Sequence, residues 1–338
     1  MRKLVSCAIA VVALGTAGVA QAGSLSLTGD VVTYAAAASE SNRVVVAVEE
    51  EPVRGVRVVD IGAPVTAGTG CASVGTNEGF CATPELPDDI VVTLDDQNDY
   101  VNTSAVNALP IRLEGGDGND NLNSGQNQFA VQDGGPGADM FSGEGATVDY
   151  SSRANPLTVS VSDNVANDGE TGENDLVTSD VQGILGGHGA DTITLNQEFD
   201  TFVSGGPGND QLVDHGGEFN ELSGGPGDDF LQTYTVDSTL RGGDGDDTLI
   251  GGNGDQDLYG GDGADLLRGG TKRDFLSGGR GADELIGGTG RDHVRGGSGN
   301  DTFRARDGEA DSLSGDRGTD RAHVDTGLDH LSNIERVF

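Results

Sequence analysis

The sequence predicts an all-β protein, a parallel β-roll (solenoid) of nine-residue repeats preceded by a small β-rich N-terminal region. Three observations carry this. From Gly115 onward the pattern Gly-Gly-x-Gly-x-Asp-x-apolar-x recurs twelve times. Its eighth position is apolar in every copy: Leu122, Phe141, Ile193, Leu212, Leu231, Leu249, Leu258, Leu267, Leu276, Leu285, Val294 and Phe303. Glycine, at 57 of 338 residues, stands more than twofold above the roughly 7% of an average chain. A disordered low-complexity segment would not hold an apolar residue in so fixed a register.

Residues 1–22 read as an export signal. Arg2 and Lys3 are its positive start, Leu4–Ala20 its apolar stretch, and Ala20-Gln21-Ala22 a small-x-small cleavage site before Gly23. A span of Ala and Gly this short is a weak membrane anchor, and no later run is long and apolar enough to be one. The expected mature chain is therefore secreted, with no membrane span.

Residues 23–110 carry short β-branched runs, Val31-Val32, Val44–Val48, Val56–Val59 and Ile90–Leu94, punctuated by Gly, Pro and Asp. This is strand-and-turn chemistry, read as a small β domain or as a degenerate start to the repeats. With Cys7 leaving in the signal, the mature chain keeps Cys71 and Cys81. An even count in an exported protein suggests one structural disulfide. A metal role would need partners, and the nearest histidine is His188.

The repeats begin in 111–142, at 115–123 and 134–142, and return at 186–194, 205–213 and 224–232. From Gly242 to Arg304 they run as seven consecutive nonapeptides. The glycines permit positive φ and close approach between chains, so the first six residues form a turn. The last three suffice for a short strand whose central side chain points inward. Turn plus strand covers half a coil, and two nonapeptides close one coil of 18 residues. Stacked coils then pair their strands in parallel, with Leu and Phe between two sheets and turns along two edges. The stretch 143–185 breaks the pattern and reads as an inserted β segment, with Leu157–Val161 as a strand and an acidic loop. The roll resumes over 186–323, and 324–338 is expected to cap it.

The chemistry of the edges follows from charge. The formal charge of −37 becomes −39 once Arg2 and Lys3 are lost with the signal, and Lys272 is then the one lysine left. Nucleic acid and anionic membrane surfaces are excluded as partners, since both require clustered Lys and Arg. Such a surface attracts cations. Columns of aspartate and glycine-rich carbonyls offer only oxygen, which suits Ca²⁺ with its six to eight hard ligands. Zinc or copper would want His and Cys, and the five histidines sit at unrelated positions.

The nonapeptide resembles the RTX, or haemolysin-type, calcium-binding repeat of secreted bacterial proteins. The resemblance covers roughly residues 115–323. It implies that the first six residues bind several Ca²⁺ ions between successive coils while the apolar residue fills the core. By position it assigns ligands to Asp120, Asp139, Asp191, Asp210, Asp229, Asp247, Asp265, Asp274, Asp283, Asp292 and Asp301. Two repeats depart: 251–259 has Gln256 at the sixth position, and 269–277 has Lys272 where the third glycine belongs. Proteins of this kind usually leave the cell through an uncleaved C-terminal signal, whereas this chain carries an N-terminal one.

Spacing adds a further expectation. Asp191, Asp210, Asp229, Asp247, Asp265, Asp283, Asp301 and Asp320 follow one another by 18 or 19 residues, so they line a single edge. Halfway between them lie Asn220, Ser238, Gln256, Asp274, Asp292 and Asp311. One edge is thus expected to take calcium along its length, the other only towards its C-terminal half.

The common catalytic signatures are missing. The chain has no His-Glu-x-x-His, no Gly-x-Ser-x-Gly and no Gly-Lys pair for phosphate. Acidic pairs that could hydrolyse glycosides are expected by chance at this carboxylate density. The sequence therefore predicts a secreted calcium-binding protein, not an enzyme, with a structural or adhesive role and surface polysaccharide or protein as partner. The alternative is a secreted enzyme or toxin active in 23–110, with the repeats as an accessory module.

Overall fold

Leu249 pairs in register with Leu231 of the coil before it and Leu267 of the coil after it, each 18 residues away. This relation, repeated along the chain, is the fold. The strands are short and pleated, so one residue in two faces inward, and the inward residue at each repeat's eighth position is leucine or another apolar side chain. Leu222, Leu231, Leu240, Leu249, Leu258, Leu267 and Leu276 are all fully buried. Leu222 and Leu240 belong to half-coils whose turns have lost the glycine motif, yet they keep the apolar phase.

The computed structural model describes residues 22–49, 54–83, 85–107, 109–162, 164–196, 199–217 and 219–338. The segment read as an export signal, apart from Ala22, lies outside the described residues. Among the described residues there is no helix, and the strands stack into a parallel β-solenoid of about 13 turns. No described helix is long and apolar enough to cross a membrane.

One face is a single 16-stranded sheet running from the N-terminal region to His330–Ser332. The opposite face is divided into an 8-stranded and an 11-stranded sheet. The division falls in 143–185. Leu176–Val177 closes the first of these sheets by pairing with Met140–Ser142, and Leu157–Val161 opens the second by pairing with Thr192–Leu195. Thr147–Asp149 stays within the long sheet between Ala130–Asp133 and Gly183–Leu185.

No break in the sheets falls at residue 110. Ile111–Glu114 pairs in parallel with both Asp89–Thr93 and Ala130–Asp133, and Asn121–Asn123 pairs with Tyr100–Ala105. Val31–Ala35 and Arg43–Glu49 extend the same two faces. Beyond them the pairing turns antiparallel, through Gly23–Thr28 on one face and Gly55–Asp60 and Glu78–Ala82 on the other. These strands cover the otherwise unpaired end of the roll, which limits edge-to-edge association. Cys71 and Cys81 sit directly opposite each other in this end and are joined by a disulfide.

Candidate metal centre

Most turns of the first edge, where the chain leaves the long sheet for the opposite face, share one plan. Strand Thr239–Asp244 runs through Gly242 and Gly243, the chain turns, and Asp247 precedes strand Thr248–Ile250. Asp247 Oδ1 accepts the backbone N–H of Asp229 at 2.8 Å, and Asp247 donates its own N–H to Asp265 Oδ1 at 2.9 Å. Each carboxylate therefore clips the coil before it. The same bond links Asp99 to Asp120, Asp120 to Asp139, and the run from Asp191 to Asp320. Glu335 Oε2 accepts the last N–H, from Asp320, at 2.7 Å.

The second oxygen of most of these carboxylates is buried and has no protein partner. This holds at Asp99, Asp120, Asp139, Asp210, Asp229, Asp247, Asp265, Asp283, Asp301 and Asp320 on the first edge, and at Asp274, Asp292 and Asp311 on the second. A buried carboxylate oxygen left without a donor is costly, so it marks a place where a further ligand is required. The glycines make room for it: a Cβ on Gly242 would collide with Asp247 Oδ2. Gly243 and Gly245 hold φ of 129° and 135°, and a Cβ on either would strike the carbonyl oxygen of the equivalent glycine one coil earlier. Carbonyl oxygens thus stack along the edge beside the free carboxylate oxygens.

Among the described residues, no group of three or more His, Cys, Asp or Glu side chains converges as an ion site. A cation here would be held by carboxylates of adjacent coils together with backbone carbonyls. That all-oxygen donor set fits Ca²⁺ and offers nothing to a thiophilic metal.

The electrostatics point the same way. Burial pushes the carboxyl of Asp247 up to about 7; the N–H of Asp229 opposes the rise, and the Asp229 carboxylate adds to it. Asp99, Asp229, Asp274 and Asp311 are likewise raised to about 7, chiefly by burial. Asp120, Asp210, Asp265, Asp283, Asp292 and Asp301 rise to about 6, and Asp139 to about 8, for the same reason. A column of acids that resists ionisation when folded is a column that cations would stabilise.

The departures are as informative. On the second edge, Gln256 is fully buried, its Oε1 accepting the N–H of Ser238 at 2.9 Å and its Nε2 donating to the Thr235 carbonyl at 3.1 Å. Both ends of its amide are satisfied by protein. Just before it, Asn220, Thr233 and Thr235 donate to the buried carboxylate of Asp214 at 2.8–3.2 Å. This stretch of the edge satisfies itself with hydrogen bonds. Lys272 keeps the turn despite its side chain: it adopts φ of 77°, and its carbonyl lies against Gly290 as a glycine's would.

Asp191 differs from the other ligands assigned by position. Its Oδ1 accepts from Leu157 N at 2.9 Å and its Oδ2 from Gly187 N at 2.8 Å, so neither oxygen lacks a donor. Two further members of the first edge lie outside the nonapeptide motif. Asp99 and Asp175 accept the N–H of Asn42 and of Asp139 respectively. The Asp99 turn lacks glycine, and Asp95 and Gln97 take φ of 82° and 79° where Gly116 and Gly118 stand one coil later. The usable signal was the Asp-x-apolar remnant, Asp99-Tyr100-Val101 and Asp175-Leu176-Val177. At Asp175 the second oxygen is taken by the buried Tyr150 hydroxyl at 3.0 Å.

Comparison with protein families finds the RTX calcium-binding nonapeptide repeat (4 copies) at residues 112–127 and, in overlapping matches, across 196–331. No curated protein matches the chain.

Proposed function

Since the chain belongs to the proteins built on RTX calcium-binding nonapeptide repeats, we propose that it is a secreted protein whose β-roll sets on calcium and then acts as a rigid structural or adhesive element outside the cell. Calcium binding itself is implied by the repeats. The observation that carries the coupling to folding is the row of buried Oδ2 oxygens without protein partners, from Asp99 to Asp320. In a chain of −37 these oxygens repel one another until a cation lies between them. Export is supported by the Arg2-Lys3 start, the apolar run and Ala20-Gln21-Ala22, and by a disulfide that persists in oxidising compartments. The reading assigns no catalysis to the chain.

Far-UV circular dichroism of the mature chain tests it. Little β signal is expected in EGTA, and a large gain on adding calcium in the roughly 10⁻⁴–10⁻³ M range of extracellular calcium modules. A spectrum that does not change with calcium would refute the coupling.

A further inference from the structure

The second edge displays aromatic rings where it lacks carboxylate ligands. Phe129, Phe199, Phe202 and Phe219 are all exposed, and all fall between residues 124 and 220. A cavity of about 460 Å³ opens there, within the size range of small-ligand sites, roughly 300–1,000 Å³. Phe202 and Phe219 line it, with Gln128, Gln182, Asp200 and Glu221 around them.

The site is positioned by the coil ladder. Thr147, Gly183, Phe202 and Glu221 are successive rungs of the long sheet at one outward position. Gly183 leaves space for its neighbour: a Cβ there would collide with the Phe202 ring and with Thr147 Oγ1. The Phe202 ring therefore lies over the sheet while 42% of the residue stays open to solvent. Asp200 Oδ1 accepts the N–H of Phe219 at 3.0 Å and so holds the second ring's turn against the first. Glu221 is anchored by Arg241 at 3.2 Å.

We propose that this cleft binds a neutral glycan, with Phe202 and Phe219 stacking on sugar rings and Gln128, Gln182, Asp200 and Glu221 bonding their hydroxyls. The lining decides the ligand class. None of the described residues that line the cleft is cationic, and Arg241 is already paired with Glu221, so the lining offers an anion no partner. A cationic amine would satisfy the carboxylates, but it has no acceptor for the amide N–H₂ groups of Gln128 and Gln182. A sugar hydroxyl both donates and accepts, so it uses amides and carboxylates alike. Aromatic faces accept its C–H surface at low entropic cost. The proposal relies on the calcium-set roll only for rigidity.

Affinity electrophoresis of the full mature chain in calcium tests the proposal, using gels containing hydroxyethyl-cellulose, galactomannan, laminarin, alginate or poly-lysine. At least one neutral polymer should retard the protein. Phe202→Ala should weaken that retardation about tenfold, as loss of an aromatic anchor does, and Phe202→Tyr should preserve it. Circular dichroism of the same samples shows whether each roll has formed. A formed roll that no neutral polymer retards, that only alginate or poly-lysine retards, or whose retardation survives Phe202→Ala overturns the glycan site and leaves the calcium reading standing.

Discussion

Gln256 and Asp274 stand one coil apart on the second edge, and Asp274 Oδ1 accepts the Gln256 N–H at 2.8 Å just as one ligand aspartate does for another. What differs is the far side of each side chain. Asp274 Oδ2 is buried without a partner, while the Gln256 amide reaches Ser238 and Thr235. The change from self-satisfied to cation-requiring edge therefore happens between these two residues.

Gln256→Asp should move that boundary by one coil. The Thr235 carbonyl would lose its donor and a carboxylate would be buried in its place, so stability in EGTA should fall by about 1–3 kcal/mol. With calcium present, isothermal titration should count about one more ion than in the parent chain. An unchanged count with a higher calcium requirement would mean that the added charge only repels.

Asp265 and Asp257 separate position from charge. Asp265 clips Asp247 N–H at 2.9 Å and carries a partnerless buried oxygen, whereas Asp257 is exposed. Asp265→Ala should raise the calcium midpoint for folding and cost about 1.5–3 kcal/mol, the scale of a hydrogen bond to a charged group. Asp257→Ala should stay within about 0.5 kcal/mol of the parent. Equal shifts of the two midpoints would reassign binding to diffuse charge.

The metal-free roll should depend on pH in the direction set by its raised carboxyls. Asp210 and Asp265 at about 6, Asp229 and Asp247 at about 7 and Asp139 at about 8 all hold their protons more tightly when folded. The folded state then binds more protons than the unfolded one, whose aspartates titrate near about 3.9, so stability is greatest at low pH. It is lost as pH rises through about 6 to 8. In EGTA, more β signal is expected at about pH 5 than at about pH 8. A β signal that grows with pH in EGTA would contradict the electrostatic account.

Lys272 carries a φ of 77° at the turn position that Gly290 fills one coil later with a φ of 143°. A non-glycine residue in the left-handed region costs roughly 1–2 kcal/mol. Lys272→Gly should therefore be about 1 kcal/mol more stable in calcium than Lys272→Ala, which loses the same charge and keeps the strain. Thermal melts of the two variants make the comparison; coincident midpoints would remove the backbone argument.

Much of this protein is local and so is legible in its sequence. The nine-residue period sets a turn and a strand, alternation of side chains along a strand sets which one is buried, and two periods set the coil. Those relations involve residues near in the chain, which is why the repeat alone marks Leu249 as core and Asp247 as an edge residue. Tertiary structure decided what depends on the neighbouring coil. Asp95 and Gln97 hold a glycine-like turn because Gly116 and Gly118 stack on them, and no motif marks it. Asp191 and Asp175 have their second oxygens satisfied by Gly187 N–H and by the Tyr150 hydroxyl, partners that no aspartate spacing announces. The sheets of 23–110 run into the repeats because Asp89–Thr93 and Ile111–Glu114 share one ladder. Phe202 meets Gly183 only after the inserted segment has been folded back into the roll. In a solenoid the chain specifies each rung, and the stack specifies what each rung must satisfy.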